Sequence, residues 1–221
     1  MRHLLALLLM SPVLPVSAQT IAGNAVDDAL AEAQNGLSKL KEEQRVSLPN
    51  AAVLGSPITM AYVHVDGLLK FAPGGKLKEL ADPDLQSKLY PVVFEGTTYA
   101  GVMLHQKDKK WTLAEDPLNY NQFLARDIGA ARDARLKSNP SPLESFSVLE
   151  IPGLGASFLV EPANPQAGIQ ETMLTPIRLH PTLPLTRKDG TKTANEVLGI
   201  LSVHAQKIVD SPEFKALQGQ K

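Results

Sequence analysis

Among side chains that attack, ligate or carry protons, this sequence offers hydroxyls, carboxylates and five histidines, and no cysteine at all. A thiol nucleophile, a redox pair, a thiolate metal site and a lipidated cysteine are therefore excluded. His64 and His105 fall in runs with strand patterning, His180 precedes Pro181, and His204 sits in a helical pattern. No two of them share a spacing that would hold a metal from one element, so no metal and no cofactor is expected. A cluster such as His64, Asp66 and His105 could form only by assembly across strands. Serine chemistry lacks its usual frame: there is no Gly-x-Ser-x-Gly elbow, and residues 153–157, GLGAS, have the wrong order. Gly153-Leu154-Gly155 has no third glycine and no helical pattern after it, so it reads as a hairpin turn and not as a dinucleotide loop. The carboxylate pairs Asp27-Asp28 and Glu42-Glu43 fall on the polar side of a helix, where nothing raises a pKa for acid–base work. The balance leans away from an enzyme; a secreted hydrolase with a site assembled from distant strands is the alternative.

Binding has better candidates. Trp111, Tyr99 and His105 are grouped in a β-rich stretch, and an indole face with nearby donors suits a glycan or small-molecule ligand. Next to Trp111 stands Lys107-Asp108-Lys109-Lys110, whose simplest role is a solvated hairpin tip that discourages edge pairing.

The elements that must position these residues follow from periodicity. Residues 24–45 contain no proline, and Val26, Leu30, Ala33, Leu37 and Leu40 recur at intervals of four and three, one stripe of an amphipathic helix. Asn24 is its expected cap. The stripe either packs on its own domain or offers a seam for a protein partner or a second copy. After a loop over 46–57, residues 61–66 alternate as a half-exposed strand, and Asp82-Pro83 predicts the start of a short helix within 76–89. Strands are expected over 90–94, 98–106 and 111–115, then a helix from Asp116-Pro117 to Asn139-Pro140.

Residues 146–160 can be laid on 90–104 without a gap, and both halves close on a helix, the second announced by Thr193-Ala194-Asn195-Glu196 as a capping box. Prolines break 138–190 into short pieces, and 179–185, LHPTLPL, is expected to tuck over the core. The fold class is α+β: an N-terminal amphipathic helix followed by a mainly antiparallel β-rich domain with two similar hairpin-plus-helix halves. The expected division is a signal peptide at 1–18, the helix within 19–48 and the domain at 49–221, with halves at 58–139 and 140–210.

Arg2 and His3, the apolar run 4–10 and the small residues Val16-Ser17-Ala18 form the pattern of a secretory signal cut after Ala18. The run is too short to span a bilayer, and no later stretch reaches that length, so no membrane span is expected in the mature chain. Removing 1–18 takes Arg2 and no acidic residue, leaving 21 basic and 23 acidic residues and a net charge of −2. That balance gives no general attraction to nucleic acid. The expectation is a periplasmic or secreted, non-catalytic bacterial envelope protein that binds or scaffolds.

Overall fold

A computed structural model describes residues 17–42, 48–114, 118–138, 145–164 and 166–212, with the side chains of 17–27 and 118–122 excepted. The elements in chain order are α1 (Ser17–Glu42), β1 (Val53–Leu54), β2 (Ile58–Tyr62), α2 (Val65–Leu69), α3 (Leu77–Leu80), β3 (Gln86–Phe94), β4 (Thr97–Lys107), β5 (Lys110–Leu113), α4 (Leu118–Ser138), β6 (Ser147–Ile151), β7 (Ala156–Glu161), β8 (Met173–Arg178), β9 (Lys192–Thr193) and α5 (Ala194–Asp210). The class is α+β. The strands form one sheet in the order β5-β4-β3-β2-β6-β7-β8-β9, with β1 added beside β3. Every pairing is antiparallel except β2 with β6, where Met60 stands beside Val148 in parallel register.

Strand alternation gives the sheet two apolar faces. Ile58, Met60, Leu89, Met103, Val148 and Leu159 face α4, whose Leu124, Ala125 and Ile128 complete that core. On the other face, Tyr90, Val92, Val102 and Leu104 pack under α1, while Leu149, Ile151, Phe158 and Val160 pack under α2, α3 and α5. Arg178 Nε donates to Asp127 on α4 at 2.7 Å and Arg135 Nε on α4 donates to Glu161 at 2.7 Å, fixing that helix across the sheet.

Turn chemistry follows the residues. Glu95-Gly96 and Asp108-Lys109 all take positive φ (48°, 76°, 50° and 64°), the geometry a two-residue hairpin needs, so the lysine cluster is a tip. Pro91, which cannot donate a ladder bond, sits inside β3 where β2 has ended and β1 has not begun. Gly155, in the left-handed region at φ 57°, closes the turn between β6 and β7. Thr193 caps α5, its hydroxyl accepting from the Glu196 N–H at 3.2 Å, and the Glu196 carboxylate accepts from the Thr193 N–H at 3.2 Å. Residues 179–185 are irregular and bury Leu183 and Leu185.

Three local expectations are corrected. The alternation over 61–66 is a strand only to Tyr62: the Val63 N–H still bonds the Glu150 carbonyl, but Val65–Leu69 turns into α2, with Asp66 in its first turn. Asp82-Pro83 starts no helix. Here α3 is already over at Leu80, and the Asp82 carboxylate accepts the Asp84 N–H at 2.9 Å to make a turn, the competing use of the same cap residue. The first helix begins at Ser17, so Asn24 lies inside it and not at its cap. Residues 1–16 of the expected signal, Asp116-Pro117 and Asn139-Pro140 lie outside the described residues, as does the side chain of Val26.

Candidate functional site

On the face shared by α1 and α5, the helical cover is incomplete. The first helix lies over β4 and β5, the α2–α3–α5 group lies over β6 to β8, and a strip of β2 and β3 between them stays open. The strip floors a groove of about 690 Å3. Its floor is Thr59 and Ala61 of β2, Gln86 and Lys88 of β3 and Ser147 of β6; Leu77 and Leu85 form one wall, and Val160, Pro162 and Asn164 the other. These floor side chains are small or polar, whereas their neighbours along the same face, Tyr90 and Leu149, are buried under helices.

Trp111 stands at the β5 end of the groove, half-buried, with the Lys88 ammonium 4.7 Å from its ring centre. An ammonium over an indole is held by the ring quadrupole, so this charge is positioned by β5 although it belongs to β3. At the α3 end, Asp82 is already engaged: its carboxylate is held below the usual range first by the Asp84 N–H and then by His64, whose Nε2 lies 3.1 Å away. Lys78 Nζ donates to Gln166 Oε1 at 2.9 Å.

The structure separates the three residues expected to share a ligand. Trp111 is opposite Gln106 and its neighbour Thr112 is opposite His105, so Trp111 and His105 project from opposite faces. His105 Nδ1 lies 2.7 Å from the hydroxyl of its cross-strand partner Ser87, which is 1% exposed. The serine is buried and the imidazole half-buried, so the contact is a strand-to-strand hydrogen bond whose hydroxyl is not open to substrate. Tyr99 lies seven residues from Gln106 along β4, roughly 23 Å at strand rise, and its ring meets Phe94 edge-on at 6.4 Å. Of the helical stripe, Ala33 and Leu40 are buried in the domain's own core, Leu37 is half-buried against it, and Leu30 is 41% exposed.

The face under α4 carries a second polar group. Tyr62, Glu150, Ser157 and Arg178 stand side by side on β2, β6, β7 and β8, with Arg178 passing on to Asp127. Glu150 and Ser157 are buried. Among the described residues no three or more His, Asp or Glu are grouped so as to hold a metal ion, and no helix is long and apolar enough to cross a membrane.

Sequence reasoning singled out Trp111 but missed Lys88, Thr59 and Ser147, because the groove exists only once β2 lies beside β6. A search with the chain against protein-family models, curated proteins and solved structures finds no match in any of the three.

Proposed function

We propose that the chain is an exported, non-catalytic protein of the bacterial envelope that works by binding, and that its ligand lies in the groove over β2 and β3. One observation carries this reading: the only tryptophan of the chain, with a lysine positioned on its ring, closes one end of a recess of about 690 Å3 with small and polar side chains on its floor and apolar ones on its walls. That volume falls within the range of small-ligand sites, about 300–1,000 Å3.

Neighbouring readings fit less well. Scaffolding through the N-terminal helix would use the stripe that here turns Ala33 and Leu40 inward. A hydrolase would need the Ser87 hydroxyl open to substrate, and it is buried. Stacking of a sugar on Trp111 would compete with Lys88 for the ring.

The test is native mass spectrometry of the chain isolated from the periplasm of a Gram-negative host, beside a Thr59→Phe variant that fills the groove. The wild type is expected to carry a small molecule that the variant has lost. Equal masses for added ligand in the two proteins, or none in either, would count against the site.

A further inference from the structure

The groove is built from strands at the centre of the sheet, and that limits what it can hold. Residues 58–60 of β2 pair with 87–89 of β3 and residues 60–62 pair with 148–150 of β6, so much of the backbone under the groove is engaged and an occupant meets mainly side chains. A polypeptide or a polyhydroxylated ligand would press many of its own donors and acceptors against Leu77, Leu85, Val160 and Pro162, where nothing answers them. A hydrocarbon chain makes no such demand, and apolar walls favour it.

Charge sets the other requirement. Lys88 forms no ion pair among the described residues and rests on the Trp111 ring alone. An ammonium over a π face keeps N–H bonds directed outward, available to an acceptor. Lys78, on the α3 wall, is bonded among the described residues to the neutral amide of Gln166. Asp82, the carboxylate that lines the groove there, is engaged by His64 and the Asp84 N–H. Among the described residues the groove therefore presents two ammonium groups without a carboxylate partner, beside the apolar walls of Leu77, Leu85, Val160 and Pro162.

We infer that the groove binds a free single-chain amphiphile with one anionic head, of the long-chain carboxylate class, with the head on Lys88 and the chain along Leu77, Leu85 and Val160. The inference rests on the groove being the ligand site and adds the chemistry of the ligand.

The probes are palmitate and 1-hexadecanol, which share a chain and differ in the charge of the head. They are titrated into the full mature chain and followed by calorimetry and by the emission of Trp111. Palmitate should saturate at one per chain and bind at least tenfold more tightly than the alcohol. Lys88→Met should bring palmitate down to the level of the alcohol and leave the alcohol unchanged, while Lys88→Arg keeps the preference. Should Lys88→Met fail to fold, Lys78→Met serves as the second variant, and a several-fold loss confined to palmitate is expected. Equal affinity for the two compounds, with Thr59→Phe abolishing both, overturns the anionic head and leaves the groove as the site. Binding of neither compound overturns the ligand class; the mass measurement above decides separately whether anything occupies the groove.

Discussion

Gly36 on α1 approaches Val102 on β4 so closely that a Cβ added to it would lie 2.6 Å from the valine Cγ1, and equally close to Leu113 Cδ2. The first helix is thus docked on the sheet through a position that has room for hydrogen only. Gly36→Ala is expected to cost about 1–3 kcal/mol of stability, the usual result of overpacking. The exposed neighbour Gln34→Ala should stay within about 0.5 kcal/mol. Thermal unfolding of the two variants checks this, and an unaffected Gly36→Ala would return α1 to the role of a free seam.

The start of α5 carries a pH signature. Glu196 has its pKa lowered, first by the side-chain hydrogen bond from Thr193 and then by the Thr193 N–H. A carboxyl group whose folded pKa lies below its unfolded value stabilises the fold above that unfolded value, 4.5. The contribution disappears as the pH falls through the lower folded value. Wild type should therefore melt above Glu196→Gln at neutral pH, and the gap should close as the pH falls below 4.5 and through the lowered folded value. A gap that persists or widens in acid would show that the carboxylate charge contributes nothing at the cap.

Export is read from residues 1–18 alone. Expressed with its own N-terminus in a Gram-negative host, the chain should appear in the periplasmic fraction and begin at Gln19 on N-terminal sequencing. A cytoplasmic product that retains Arg2 would refute both the compartment and the envelope role.

How much of this was legible in the sequence depended on how local each signal was. The Thr193–Glu196 box and the Asp108–Lys109 tip are fixed by neighbours within four residues, and both are seen as expected. The pattern at 61–66 misled because alternation continues past Tyr62, while the end of the strand is decided by α2 packing under α5. Asp82-Pro83 fits a turn as well as a helix start, and the bond from the Asp84 N–H decided for the turn. The groove could not be read at all, since Thr59, Lys88 and Ser147 come from strands whose adjacency is long-range. One clue was present: Thr59, Gln86 and Lys88 are polar on a side where Ala61, Tyr90 and Val92 of the same strands are apolar.

The parallel joint between β2 and β6 has a geometric corollary. Each half runs as four antiparallel strands and then a helix, and the strand order reads outward from that joint in both directions. Two such units set side by side with their inner strands pointing the same way are related by rotation about an axis along the strands. That operation exchanges top and bottom of the sheet. The closing helices α4 and α5 therefore lie on opposite surfaces, and α1 with the α2–α3 pair extends the roof on the side that α5 covers.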